Sequence, residues 1–226
     1  MGQLALGVTY RVLVYLASKN QHKAAEYAEL LKGSPVTLEA LPPDVPDAPE
    51  DGTSFAANAI QKARYYARFV QAPVLSDDSG LVVPCLGGEP GILSARYAGV
   101  HGDDRANNAK LISKLQAHRR SAAFGIFICS MAYVKPNHDD IHVFHGITEG
   151  VVTTSARGYF GFGYDPLFFL PVQNKTLAEL SAAEKNLYSH RSKAVRALLQ
   201  SHLPEFAVQS QLQKKMDDLD STPVID

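Results

Sequence analysis

Pro73-Val-Leu-Ser-Asp-Asp-Ser-Gly-Leu-Val-Val83 sets two adjacent carboxylates between two apolar runs. Val74 and Leu75 are apolar, Ser76 to Gly80 is polar, and Leu81-Val82-Val83 is apolar again. The pattern predicts a buried strand that runs into a turn at Asp77-Asp78-Ser79-Gly80 and leaves as a second strand. On extended backbone, successive side chains point to opposite faces, so at most one of the two carboxylates faces a given pocket. Gly80 would permit a positive-φ bend that exposes the pair. Adjacent carboxylates repel unless something positive shares the site. A hard divalent cation with oxygen ligands, such as Mg2+, meets that need. The same residues equally suit a solvated turn at a strand end.

Upstream, Val12-Leu-Val-Tyr-Leu-Ala17 reads as a strand, and Ala24 to Leu31 has helical composition. Between them lies Ser18-Lys-Asn-Gln-His-Lys23. A strand-to-helix junction exposes unpaired N–H groups and the positive end of the helix dipole, which together favour an anion. Ser18 or Asn20 would serve as the N-cap. Lys23 is unfavourable at that dipole end unless it meets an anion. Val36 to Leu41 suits a strand. The Pro- and acid-rich run from Pro42 to Gly52 is a loop in which one of Asp44, Asp47, Glu50 and Asp51 could reach a metal. Thr53 or Ser54 caps a helix to about Val70, with Phe55, Ala59, Ala63, Tyr66 and Val70 as its apolar stripe and Lys62 beside it.

The chain has 226 residues, 46% of them hydrophobic, and a formal net charge of −1. One large domain or two small lobes, with a sizeable core, is the expectation. A near-neutral balance argues against a general nucleic-acid or membrane-surface binder. No apolar run is long enough for a membrane span. Cys85 and Cys129 sit in apolar surroundings without metal-ligand spacing, as expected of buried thiols in a reducing, cytoplasmic setting.

Further along, Asp103 to Leu115 reads as a helix, and Ala122 to Val134 as a long strand pairing with Ile141 to Glu149. In Arg157-Gly-Tyr-Phe-Gly-Phe-Gly-Tyr-Asp-Pro166, glycines alternate with aromatics. That suits a backbone brought close to a flat ligand with rings to stack on it, or a hairpin that buries its aromatics. Ser181 caps a helix from Ala182 to about Ser201 carrying Lys185, Ser189, His190 and Arg191. Read alone, that run is a solvated polar face. The polar tail from Gln209 is expected to fray.

Several segments, taken in order, closely resemble the Ham1-like inosine triphosphate pyrophosphatase family. They are Ser18–Lys23, Ser54-Phe-Ala-Ala-Asn-Ala-Ile-Gln-Lys-Ala63, Ser76–Leu81, Leu86-Gly-Gly-Glu-Pro-Gly91, Ser94-Ala-Arg-Tyr-Ala-Gly99, Phe162-Gly-Tyr-Asp-Pro166 and Glu184–Arg191. The likeness runs from about Val12 to Leu199.

The resemblance implies an α/β fold, elongated and two-lobed, around a long mixed curved sheet with flanking helices and a substrate cleft between the lobes. It implies one domain over residues 1–206, a polar tail over 207–226 and a homodimer. It implies Mg2+-dependent hydrolysis of dITP, ITP or XTP to monophosphate and pyrophosphate. Asp78 would be the metal ligand and base, with Asp77 in support. Ser18, Asn20, Lys23 and Lys62 would hold the triphosphate, and Lys19, Gln21, His22 and Ser79 would contact the substrate. Phe162, Gly163, Tyr164 and Asp165 would line the nucleoside site. Lys185, His190 and Arg191 would read the base, with Ser189 nearby. Asp44 is the nearest counterpart to the family's second metal carboxylate. Two features depart from the pattern: Lys19 where glycine is common, and Tyr159-Phe160 where small residues are usual. A pyrophosphatase of this fold aimed at modified pyrimidines, and a catalytically silent nucleotide binder, are the alternative readings.

Overall fold

A computed structural model describes residues 11–201 together with Leu203 and Phe206. The predicted tail over 207–226 lies outside the described residues, as do residues 1–10. Among the described residues seven strands form one mixed sheet: β1 (Val12–Ala17), β2 (Val36–Ala40), β3 (Val74–Val82), β4 (Ala122–Val134), β5 (Ile141–Thr153), β6 (Phe168–Leu170) and β7 (Lys175–Thr176). Their order is β2-β1-β3-β4-β5-β6-β7. The first three are parallel to one another and every later pairing is antiparallel. β4 and β5 pair over their full length, from Ala122 with Thr153 to Val134 with Ile141.

The helices are α1 (Gln21–Leu30), α2 (Phe55–Val70), α3 (Asp104–Ala117), α4 (Ala182–Tyr188) and α5 (His190–Leu199). α2 lies on one face of the sheet, where the Ser76 hydroxyl bonds to the Ala59 carbonyl. α5 crosses the other face at Gly146, where a side chain would run into the His190 carbonyl. The α1 and α5 side of the sheet buries Val14, Tyr27, Leu75, Met131 and Leu198. The α2 side buries Ala59, Ala63, Val74 and Ala132. At the far end, Leu81, Phe127, Leu111 and Phe168 form another cluster with α3 and the segment around 164–180. Among the described residues no helix is long and apolar enough to cross a membrane.

The predicted turn at Asp77–Gly80 is absent. β3 is one unbroken strand, paired residue by residue with β4 from Val74 to Val82. The long β4 ladder pairs the backbone groups that face it, while Lys62 Nζ bonds the outward Asp77 carbonyl and Asp78 and Ser94 accept the outward Ser79 and Leu81 N–H groups, and this satisfaction outweighs local turn preference. The glycine at 80 serves closeness instead of a bend. A Cβ there would lie 2.6 Å from the Gly91 carbonyl oxygen and 2.8 Å from Phe55, and would overlap the Ser94 hydroxyl.

The helix predicted from Ala182 to Ser201 breaks at Ser189, whose backbone is extended (φ −65, ψ 150). The Ser189 hydroxyl accepts the Ser192 N–H and so starts α5, a local cap that competes with continuous helix. α1 begins at Gln21, three residues before the expected Ala24, because Asn20 is the cap. Segment 157–166 is a loop and not a hairpin. Tyr159 is fully exposed and Phe160 largely so, so those aromatics do not enter the core.

Candidate active site

A cleft of about 740 Å³ opens along α1, β3, the 91–96 turn, loop 162–165 and the start of α5. At one end stands the N-terminus of α1. Asn20 Oδ1 accepts the N–H groups of His22 (2.9 Å) and Lys23 (3.2 Å). With those amides capped, the attraction for an anion rests on side-chain ammonium groups. Lys23 Nζ lies 2.9 Å from Asp77 Oδ2, the negative partner that sequence alone could not supply. Lys62 is buried, donating to the Asp77 carbonyl at 2.7 Å and pairing with Glu50 at 3.0 Å. Burial works against the Lys62 charge, but Asp77, Glu50 and Asp78 together hold its pKa raised. Ser18, Lys19 and Gln21 also line the cleft. Lys19 is exposed and pairs with Asp47 at 2.6 Å, a surface contact of little energetic weight.

The two adjacent carboxylates part as strand geometry requires. Asp77 faces α1 and α5 and is 1% exposed. Ser79, two residues on and on the same face, donates to its Oδ2 at 2.7 Å. Burial alone would raise the Asp77 pKa, but Lys23, Arg191 and Lys62 outweigh it and hold the carboxyl well below the usual range. Asp78 lines the cleft. Its oxygens accept Asn58 Nδ2 at 2.9 Å and the Ser79 N–H at 3.0 Å. Burial pushes the Asp78 pKa up, only partly offset by Lys62 and Asn58. One carboxylate is thus locked in a buried ion cluster, while the other meets the cleft with a raised proton affinity.

The expectation for Asp44 needs correction. Asp44 is exposed and forms no part of the cleft wall, whereas Glu50, six residues on, does. The loop turns inward at Gly52, whose N–H donates to Asn58 Oδ1 at 2.8 Å, and this carries Glu50 toward Lys62 and Arg96.

At the other end, Phe162 stacks on His22 with centroids 5.3 Å apart and planes at 15°. The Lys185 ammonium lies 5.0 Å from the Phe162 ring. Loop 162–165 is pinned on several sides. The Gly163 N–H donates to Asp104 at 2.6 Å, its carbonyl accepts from Asn108 at 2.8 Å, and the Tyr164 hydroxyl donates to the Ser94 carbonyl at 2.8 Å. Asp165 accepts from the Phe162 N–H and from Lys185 Nζ, and burial raises its pKa.

Lys185, His190 and Arg191 are 6%, 5% and 1% exposed, so the solvated-face reading of this run fails. The break at Ser189 turns His190 and Arg191 inward, while Ser189 itself serves as a cap and is absent from the cleft wall. The His190 ring lies parallel to Phe127 at 4.7 Å. Burial and the neighbouring cations push its pKa well below the ordinary value, so it is neutral.

Glu26 was not singled out from the sequence. It bridges Lys185 at 2.7 Å and Arg191. Its only sequence signal is its place three residues after Lys23 on one helix face. Asn58, Asp104 and Asn108 were missed likewise, because each acts through contacts distant in sequence.

The Ham1 family model matches residues 14–201. A dITP/XTP pyrophosphatase of Acinetobacter baumannii is 47% identical over 192 residues, covering 82% of this chain and 92% of that one. One from Geobacter sulfurreducens is 45% identical over 190 residues, covering 83% and 94%. The solved HAM1 protein of Coxiella burnetii superposes with a TM-score of 0.77 at 36% identity, covering 88% of this chain and 99% of that one. With matches of this extent laid over the cleft described above, the chain belongs to the Ham1 family.

Proposed function

We propose that this chain hydrolyses non-standard purine nucleoside triphosphates (dITP, ITP and XTP) to the monophosphate and pyrophosphate. The observation that carries the reading is the polarity of the cleft. Lys23 and Lys62 stand beside Asp78 at one end, and Phe162, Lys185, His190 and Arg191 form the other. Relatives bearing the name dITP/XTP pyrophosphatase support the same substrate class.

Triphosphate cleavage needs charge neutralisation, positioning and an activated water more than a covalent nucleophile. Lys23 and Lys62 neutralise the phosphates. Asp78, whose pKa burial raises, takes the proton of the attacking water. At the base end, hypoxanthine and xanthine present an acceptor oxygen at position 6, where adenine presents a donor. Lys185 and Arg191 only donate. Glu26 and Asp165 take two of the three Lys185 hydrogens, and Arg191 Nε has no hydrogen-bond partner among the described residues, so donors remain for a 6-oxo group. Facing a 6-amino group those donors would stay unpaired, at a cost of about 1–3 kcal/mol each.

Mg2+ is part of the proposal. Among the described residues no cluster of three or more His, Cys, Asp or Glu side chains is set to hold a metal. Mg2+ ordinarily keeps several waters and takes one or two carboxylates plus substrate phosphates, so Asp78 with Glu50 fits its needs. When bound it would neutralise charge on the phosphates. A homodimer in a cytoplasmic setting completes the reading, in keeping with the unpaired thiols of Cys85 and Cys129.

A panel of nucleoside triphosphates with Mg2+, with pyrophosphate and phosphate measured separately, tests it. ITP, dITP and XTP are expected to give monophosphate and pyrophosphate in equal amounts. Nucleoside diphosphate and phosphate as primary products would refute it.

A further inference from the structure

One oxygen joins the two ends of the cleft. Asp77 Oδ2 accepts from Lys23 Nζ at 2.9 Å and from Ser79 Oγ at 2.7 Å, both full hydrogen bonds. Arg191 Nη2 approaches the same oxygen but stands off at 3.5 Å, in ion-pair range and outside hydrogen-bond range. An sp² carboxylate oxygen has two lone-pair directions, and here Lys23 and Ser79 hold both. Oδ1 of the same carboxylate has no hydrogen-bond partner among the described residues. The other anchor of Arg191 is Glu26, against Nη1. Arg191 is therefore hydrogen-bonded to a carboxylate on one side and only ion-paired on the other, to an oxygen that Lys23 and Ser79 already hold.

We propose that Asp77 is a positioning residue that links phosphate binding to base recognition. This rests on the function proposed above and goes further, to how the two ends communicate. A triphosphate that draws Lys23 away vacates one lone pair of Oδ2. Arg191 then closes the gap and its guanidinium is held by Asp77 as well as Glu26. A guanidinium fixed on two sides presents its remaining donors to the base in one orientation, and so loses less freedom on pairing. The phosphates thereby tighten base binding, and by linkage the base tightens phosphate binding by the same factor.

The test uses two fragments of the substrate, inosine and inorganic tripolyphosphate, without divalent metal. Inosine is titrated calorimetrically into the full chain with and without saturating tripolyphosphate. Wild type is expected to bind inosine about fivefold more tightly when tripolyphosphate is present, the lower end of ordinary coupling. Lys23→Met removes the competitor for Oδ2. It should bind inosine about fivefold more tightly on its own, with no further response to tripolyphosphate. A merely structural role for this cluster predicts weaker binding in that variant, so a gain is diagnostic. Asp77→Asn should abolish the response, and if it folds poorly the Lys23→Met result still decides. Inosine affinity indifferent to tripolyphosphate in wild type, undetectable binding in both cases included, overturns the inference. So does an inosine affinity that Lys23→Met leaves unimproved. Pyrophosphate release from ITP, measured in a separate assay with Mg2+ present, separates the two levels. ITP cleavage without linkage defeats only the coupling, whereas absence of pyrophosphate defeats the function itself.

Discussion

Gly80→Ala places one methyl group where the structure has no room. The new Cβ would sit 2.6 Å from the Gly91 carbonyl oxygen and 2.8 Å from Phe55 Cε1, and would overlap the Ser94 hydroxyl. Two of these neighbours are backbone or ring atoms that cannot swing aside. Overpacking of this kind costs about 1–3 kcal/mol. Ser94 would also have to move, and its Oγ accepts the buried Leu81 N–H at 2.9 Å. An orphaned buried N–H adds about 1–3 kcal/mol. Together the expected loss is about 2–6 kcal/mol, or roughly 4–24 °C in Tm for a chain of this length. The assay is thermal and urea denaturation of Gly80→Ala in the wild-type and Ser94→Ala backgrounds. Ser94→Ala removes the atom in closest conflict, so the same methyl group should cost less there. A loss under about 1 kcal/mol, or one equal in both backgrounds, would refute the close-approach account. The second outcome is what a bend-forming glycine would give.

The neighbouring carboxylates should respond oppositely to neutralisation. Asp78→Asn should cut turnover by about 10²–10⁴-fold without loss of Tm, because burial already disfavours its charge. Asp77→Asn should cost about 3–5 kcal/mol by removing the buried carboxylate that faces Lys23 and leaving Glu26 as the one carboxylate against Arg191 among the described residues; equal stability losses for the pair would reject this division. Arg191→Ala should lower kcat/KM for ITP far more than for ATP, a ratio insensitive to the fraction folded, and a parallel fall would remove Arg191 from base reading. His190 has a folded pKa depressed below its unfolded value of 6.5, so its neutral form contributes stability above that pH. That contribution is lost as pH falls from about 6.5 through the folded value, so urea stability of wild type should drop more steeply over that window than that of His190→Gln. Parallel curves would exclude it.

Much of this molecule is local in its causes and so could be read directly. β1 and β4 fall where their apolar runs place them, and α2 starts behind the Ser54 cap, because periodicity and capping need only near neighbours. The opposed directions of Asp77 and Asp78 follow from strand geometry alone. The ordered motifs also carried the family and most of the cleft-lining residues.

What the sequence left open depended on partners far along the chain. A polar stretch with turn residues became mid-strand because β4 pairs with all of it. Lys185 and Arg191 look solvated by composition, yet lie buried because Glu26, Asp165 and Asp77 bring three carboxylates from α1, loop 162–165 and β3 to meet them. Glu50 lines the cleft and Asp44 does not, because Asn58 draws the loop inward at Gly52. A buried charge is stable only where its counter-charge arrives, and arrival from 20 to 165 residues away is a property of the tertiary structure alone.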